Sequence, residues 1–329
     1  MRVAVFPVPT WLAQVALGSV VNLLVAGSCA VAGDPAANDT KLARSLVRHP
    51  NNPVIKVGEK GAWDEQTLGC FAVLEDGDQF HLYSEGAEFG KPKFIGMAVS
   101  NDGITWRKHA KNPLFPGSMP HAIKVDNTIR LYYPHADGLQ MRTSPDGFTW
   151  GEPRKVLESH LDPCVIRVAE DRFHLYYCDG GRKTVDGKQV WEFKNYLATS
   201  PDGIAWKNEP EPVLLLGSEG SWDARSHAGP CVLKLVDGFH MWYLGSGVYK
   251  GKTAWRIGHA TSPDGRKWSK SGVEPVLDIG QPGDWDSGTF LHIDVIWRDG
   301  KFLFWYAAAP TEHREETKMR IQIGHGTSR

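Results

Sequence analysis

Ser144-Pro145-Asp146-Gly147-Phe148-Thr149-Trp150 is one of four near-copies of a single heptad. The others are Ser100-Asn101-Asp102-Gly103-Ile104-Thr105-Trp106, Ser200-Pro201-Asp202-Gly203-Ile204-Ala205-Trp206 and Ser262-Pro263-Asp264-Gly265-Arg266-Lys267-Trp268. They recur roughly every 45–65 residues, the period of propeller blades. A fifth copy opens at Gly326-Thr327-Ser328, just before the last residue, Arg329. Each full copy follows a short alternating stretch (95–99, 139–143, 195–199, 256–261) and precedes another strand-like one. Asp-Gly between two such stretches signals a hairpin, because glycine takes the positive φ that a tight turn demands. The heptad therefore reads as the outer hairpin of a repeated blade.

With the heptad as a ruler, each unit resolves into four strands. Strand A is an apolar run (69–74, 120–125, 163–168, 230–236, 292–297) and strand B an aromatic one (80–83, 129–133, 173–177, 239–243, 302–306). Strand C leads into the heptad and strand D leaves it, closing in Asn112-Pro113-Leu114-Phe115, Glu211-Pro212-Val213-Leu214 or Glu274-Pro275-Val276-Leu277. The last unit lacks its strand D. Residues 44–55, ending Asn52-Pro53-Val54-Ile55, read like the missing one. An N-terminal strand in the last blade closes the ring and removes a free sheet edge that would invite aggregation. The expected fold is all-β: a five-bladed β-propeller of four-stranded blades, as a single domain over 33–329.

The net charge is −1 over 329 residues. A nucleic-acid surface would need a basic excess, so the expected partner is uncharged or small. Arg2, the apolar run 11–26 and the small-x-small triplet Ala30-Val31-Ala32 read as a secretory signal over 1–32. That predicts a secreted or periplasmic protein with no membrane span once processed, and Ala26-Gly27-Ser28-Cys29 is a poor lipoprotein signal. Of the four remaining cysteines, Cys70, Cys164 and Cys231 share one register of strand A and Cys178 follows a strand B. They read as small buried residues rather than a disulfide framework, with a Cys164–Cys231 bridge as the alternative.

Alternating strand direction puts the short A–B and C–D turns on one face. The long, blade-specific connections, notably 178–194, 245–255 and 309–319, fall on the other. Function is expected on the variable face, at the axis. The entries to strand A then separate scaffold from site. Trp63-Asp64, Trp222-Asp223 and Trp285-Asp286 recur, as do the strand-B histidines His81, His174 and His240, so these read mainly as scaffold. Asp162 is the only carboxylate immediately before the proline shared by Pro120, Pro163 and Pro230. Crowding there would raise its pKa and suit acid/base work, against a bland reading as an Asp paired with Arg167 or Arg182. Glu65 is a second candidate, since Ala224 and Ser287 follow the other Trp-Asp pairs, with Asp64 as its rival. Glu85 and Asp179, at the starts of B–C connections, are weaker. His227 and Arg225, with His121, His160 and His292, gather imidazoles near one axis for proton transfer, sugar contact or water binding. No tight metal-ligand spacing is present, and neither metal nor cofactor is expected. Trp191 joins the substrate-binding candidates.

The Trp-Asp entry, the Asp-Pro head of an inner strand, the Tyr-rich strand B and the hairpin Gly-x-Ala-x-Ser-x-Asp-Gly-x-x-Trp resemble the five-bladed propeller glycoside hydrolases. These include families 43, 32 and 117 and the family 130 phosphorylases. Over the whole chain after the signal, the resemblance implies a glycosidase acting on a neutral oligo- or polysaccharide. The alternatives are an inverting phosphorylase, for which Arg225, Arg256 and Lys194 are available, and a non-catalytic sugar-binding propeller. Asp162-Pro163 resembles the Arg-Asp-Pro or Glu-Asp-Pro element of those families, with Leu161 in place of its first residue. The resemblance puts Asp64 or Glu65 at the blade-one carboxylate, there a base, and Asp162 at the orienting or acid carboxylate. The blade-two acid of family 43 would fall near His121, where this chain has none. His227 resembles the histidine acid of family 117.

Overall fold

The computed structural model describes residues 39–88, 91–158, 161–185, 188–310 and 320–329. The predicted secretory signal and His160 lie outside them.

Five antiparallel sheets follow the heptad ruler. Blade 1 comprises Thr67–Asp76, Gln79–Ala87, Phe94–Ser100 and Arg107–Lys108, with Phe115–Pro116 added beside its third strand. Blade 2 comprises His121–Val125, Thr128–His135, Gly138–Ser144 and Arg154–Leu157. Blade 3 is Leu161–Ala169, Arg172–Val185, Lys188–Ser200 and Lys207–Asn208, and blade 4 is Ser226–Leu235, Gly238–Tyr249, Lys252–Ser262 and Ser269–Lys270. Blade 5 takes Thr289–Arg298, Lys301–Ala309 and Gln322–Ser328 from the end of the chain and Leu46–Arg48 from its beginning.

That N-terminal strand pairs Leu46, Val47 and Arg48 with Ser328, Thr327 and Gly326. The segment after it repeats the chemistry of blade 1. Asn112 accepts from the Met97 amide at 2.9 Å and donates to the Met97 carbonyl at 2.8 Å. Asn52 does the same to His325, at 2.8 Å in both directions. Residues 46–55 thus supply to blade 5 what residues 107–115 supply to blade 1, and the ring has no open edge at this seam.

The heptad has a second function that its hairpin geometry alone does not reveal. Within it, the Asp102 Oδ1 accepts the Ile104 and Thr105 amides at 2.8 and 2.7 Å, and Ser100 Oγ accepts the Gly103 amide at 2.9 Å. Gly103 is left at φ +74°, and its carbonyl takes two donors: the Trp106 indole of its own heptad at 2.9 Å and a ring from outside the turn. A strand-B ring of the preceding blade takes that carbonyl. Trp305 of blade 5 donates to Gly103, Tyr83 of blade 1 to Gly147, Tyr132 of blade 2 to Gly203 and Tyr176 of blade 3 to Gly265, at 2.8, 3.1, 2.9 and 2.7 Å. All four rings are buried. Each clasp ties neighbouring blades together and satisfies a hydroxyl or indole N–H that burial would otherwise leave costly.

The variable face differs from expectation in one respect. The stretches read as loops at 178–194 and 245–255 are largely continuous antiparallel ribbon. Asp179↔Lys194 runs on to Val185↔Lys188, and Gly245↔Arg256 to Tyr249↔Lys252. Strands B and C of blades 3 and 4 simply extend past the body of the propeller. Most of the 309–319 connection lies outside the described residues. Among the described residues, no helix is long and apolar enough to cross a membrane.

Candidate functional site

Strand A starts with a bulge in four blades, between Leu68 and Phe71, Leu161 and Cys164, Ala228 and Cys231, and Phe290 and His292. In the three blades with the shared proline, the preceding residue is left-handed: Met119 at φ +47°, Asp162 at +49° and Gly229 at +51°. Glycine adopts this conformation freely, whereas for a side chain it costs on the order of 1–2 kcal/mol. Strain of this kind is retained where the surroundings impose it, often at working sites.

Asp162 borders a cavity of about 390 Å³, together with Glu85, Lys93, Cys70, Cys178, Phe193 and Trp255. It is buried, with the Cys70 thiol donating to Oδ1 and the Cys178 thiol to Oδ2, both at 3.4 Å. Burial pushes its carboxyl above the usual carboxylate range, the two thiols pull it back, and the charge of Glu85 adds to the rise. The two arginines weighed as its salt-bridge partners are engaged elsewhere: Arg167 reaches Asp126 at 3.1 Å and Arg182 lies over Trp191.

Glu85 is the second carboxylate on this cavity. It is buried, takes Lys93 Nζ on Oε1 at 2.8 Å and the Met119 amide on Oε2 at 3.0 Å. Burial alone would lower the Lys93 ammonium, but the charge and hydrogen bond of Glu85 outweigh it and raise it. Glu85 stands at the end of strand B of blade 1, where the extended strand turns its side chain inward. The bulged entry of blade 2 brings the Met119 amide to meet it.

The blade-one candidates lie elsewhere. Asp64 is buried against Lys108 Nζ at 2.5 Å. This is a repeated ion pair: Asp223 pairs with Lys270 at 2.6 Å and Asp286 with Arg48 at 2.7 Å, each cation standing on strand D of the same blade. Glu65 accepts the Gly61 amide at 2.6 Å, within its own turn. His227 is fully buried, its Nε2 3.1 Å from Asp223 and its ring 4.7 Å from Tyr243. Burial lowers its pKa and Asp223 opposes that. Asp64, Glu65 and His227 are therefore held by scaffold contacts and do not line the Asp162 cavity.

The remaining candidates divide. His292 and His121 stand on the innermost strands of blades 5 and 2. His121 Nε2 lies 2.9 Å from the Val165 carbonyl. Burial lowers His121 to about 4 and His292 to about 3, so both rings are neutral. Trp191, half exposed, stacks on Phe193 at 5.4 Å and 10°. With Arg225 and Trp255 these rings border a second recess of about 390 Å³ that shares Phe193 and Trp255 with the first. Asp179 is exposed on the extended ribbon and holds the Gly180 amide at 2.7 Å. Arg256 is buried against Asp278 at 2.7 Å, and Lys194 lies 3.4 Å from Glu192. All four cysteines after the predicted signal are free, so the Cys164–Cys231 bridge does not form. The sequence ranks Glu85 low because Tyr83-Ser84-Glu85 looks like any strand end. Its signal is that no other strand B carries an acid at that place.

No family model matches the chain. An uncharacterized protein of Mycobacterium tuberculosis is 24% identical over 255 residues, covering 67% of this chain and 80% of that one. The crystal structure of an N-acetylgalactosamine deacetylase from F. plautii, in complex with blood group B trisaccharide, superposes with a TM-score of 0.69 at 17% identity over 86% of this chain and 95% of that one. A structure described under the GH130 family of mannoside phosphorylases, which contains glycoside hydrolases that target beta-1,2 mannosidic linkages in Candida mannan, superposes with a TM-score of 0.66 at 14% identity, covering 85% and 93%. The fold is the five-bladed propeller shared with these two solved structures.

Proposed function

We propose, from a propeller fold shared with glycoside hydrolases and mannoside phosphorylases, that this chain is a secreted glycoside hydrolase with its substrate in the Asp162 cavity. The observation that carries the reading is the meeting of two carboxylates from different blades, Asp162 and Glu85, on one recess walled by Phe193 and Trp255. Cleavage of a glycosidic bond needs one group to protonate the leaving oxygen and another to activate water or attack carbon, and carboxylates on facing blades bracket a sugar between them. Aromatic walls suit the apolar faces of sugar rings, and the second recess at Trp191 and Arg225 extends the groove for a further residue of an oligosaccharide. Glu85, paired with Lys93, takes the part that the sequence assigned to Glu65 or Asp64.

The phosphorylase alternative needs free cations for phosphate. Arg256 is buried on Asp278 and Lys194 lies beside Glu192, which leaves Arg225 as the open one of the three and favours hydrolysis. The test is a glycan panel incubated with the processed protein, with and without phosphate. New reducing ends that appear without phosphate and disappear in Asp162→Asn support the reading. Release of a sugar 1-phosphate selects the phosphorylase, and retention of a glycan without turnover selects a binding propeller.

A further inference from the structure

Three side chains from three blades converge beside the Asp162 cavity: Cys70 from blade 1, Asp162 from blade 3 and His292 from blade 5. One donor atom of each lies within 4.8 Å of the other two. The Cys70 sulfur and Asp162 Oδ1 are already 3.4 Å apart. A tetrahedral zinc ion with Zn–S of about 2.3 Å and Zn–N and Zn–O of about 2.0–2.2 Å separates its ligand atoms by roughly 3.3–3.8 Å. The Cys70–Asp162 edge has that length. The His292 corner lies within 4.8 Å, so it exceeds that edge by at most roughly 1.0–1.5 Å.

A second, independent observation points to a ligand. His292 is 8% exposed and its Nδ1 has no hydrogen-bond partner. An unpaired polar atom at that depth is rare and costs on the order of 1–3 kcal/mol. The ring donates a hydrogen bond to the Phe71 carbonyl, which leaves the lone pair of the neutral imidazole on the other nitrogen. Nδ1 stands 3.9 Å from where a Cβ on Gly229 would sit. Gly229 is in turn a main-chain hydrogen-bond partner of Asp162. The orphan nitrogen therefore lies beside Gly229, a residue that itself contacts the Asp162 carboxyl.

We propose that Cys70, Asp162 and His292 form a zinc site, with the fourth coordination position open to the cavity that Asp162 borders. A thiolate, an imidazole and a carboxylate together match zinc better than the hard cations calcium and magnesium, which take oxygen ligands. Three protein ligands and one open position is the arrangement of catalytic zinc rather than structural zinc. Binding releases the Cys70 proton, because a coordinating thiol is deprotonated, and Cys178 stays as a hydrogen-bond donor to the outer oxygen of Asp162. The assignment does not depend on which glycan the cavity takes, but a zinc-bound Asp162 is a ligand and not the acid or base of the proposed hydrolysis, so zinc occupancy would leave Glu85 as the cavity's free carboxylate.

The test is made on the full processed protein without substrate. After stripping with a chelator and dialysis against limiting zinc, elemental analysis should find one ion per chain. Cobalt(II) in its place should give a near-ultraviolet thiolate-to-cobalt charge-transfer band. Cys70→Ser should abolish the band and His292→Gln should weaken binding by at least about 100-fold, since even outer-shell partners are worth 10–100-fold. Cys164→Ser, at another axial thiol, should leave band and stoichiometry unchanged. A wild-type protein that retains no zinc and shows no band, or a band that survives Cys70→Ser, overturns the proposal. The wild-type readouts decide it even if a variant fails to fold, and they stand apart from any loss of glycan turnover.

Discussion

Trp242, on strand B of blade 4, donates its indole N–H to the main-chain carbonyl of Ala43 at 3.0 Å. In the other four blades the equivalent ring grips the glycine carbonyl of a heptad turn in the next blade. For blade 4 the short helix Asp39–Ala43 supplies the acceptor instead. Removing residues up to 48 therefore removes a clasp and a strand together. Such a truncation should fail to give a soluble, cooperatively melting protein, and a truncated chain with unchanged melting would contradict the closure. Point changes should grade the effect. Tyr132→Phe deletes one clasp hydrogen bond and should cost about 1 kcal/mol in urea unfolding. Arg48→Met leaves Asp286 buried without its cation and should cost about 3 kcal/mol.

Asp162 and Gly229 occupy equivalent left-handed positions at φ +49° and +51°. Blade 4 uses the residue that suits the backbone, and blade 3 uses an aspartate that does not. Asp162→Gly should relieve both the strain and the burial of a carboxyl, raising the unfolding free energy by about 1 kcal/mol, while removing turnover. A variant that loses both stability and activity would mean that Asp162 is scaffold.

The acid side of the stability profile should be set by histidines. Burial lowers His174 and His325 to about 4, from an unfolded value near 6.5. A folded pKa below the unfolded one means that the unfolded chain takes protons first as pH falls. The stability is complete above about 6.5, declines between about 6.5 and 4, and levels below that as far as these groups are concerned. Each pH unit between the folded and unfolded values is worth about 1.4 kcal/mol per ring, so two such rings give a decline of several kcal/mol at most. Melting temperature against pH should begin to fall near 6.5, before the carboxylates titrate. His174→Gln should flatten part of that slope, and a profile level down to pH 5 would contradict it.

Much of this architecture is legible in the sequence because a repeat reports its own register. Ser-x-Asp-Gly fixes each hairpin, and Asn52-Pro53 against Asn112-Pro113 places the N-terminal segment in the last blade. The clasps are not legible, since the acceptor is a main-chain carbonyl and the donors, Tyr and Trp, read equally well as plain core. The site is half legible. Asp162 stands out as a carboxylate where other blades have Met119 and Gly229. Glu85, which lines the same cavity, does not, because sequence places Asp64 and Glu65 near the axis without saying which way a turn residue points. The counter-signal lies in strand D: Lys108 and Lys270 each stand two residues after a heptad tryptophan, ready to pair with the Trp-Asp carboxylates. That spacing identifies Asp64 as one of a repeated set of paired acids, while Glu65 and Glu85 are both unrepeated and are told apart only by where their side chains go: Glu65 into its own turn and Glu85 onto the cavity.

Glu85 and Glu65 can therefore be set against each other directly. Glu85 faces the Asp162 cavity and holds Lys93 at 2.8 Å, whereas Glu65 holds the Gly61 amide of its own turn. On any substrate that the glycan panel yields, Glu85→Gln should lower kcat/KM by about 100- to 10,000-fold, the range for a lost acid/base group. Glu65→Gln should stay within about threefold of wild type, because a turn hydrogen bond worth about 1 kcal/mol affects stability rather than the barrier. Asp64→Asn should fall between them in a distinctive way: lower melting temperature from the broken Lys108 pair, with kcat nearly kept in the folded fraction. Glu85→Gln removes half of an ion pair, so its melting temperature must be measured alongside. If Glu65→Gln is the inactive variant and Glu85→Gln the active one, the carboxylate pair is misassigned and the reaction belongs nearer the Trp63-Asp64 turn.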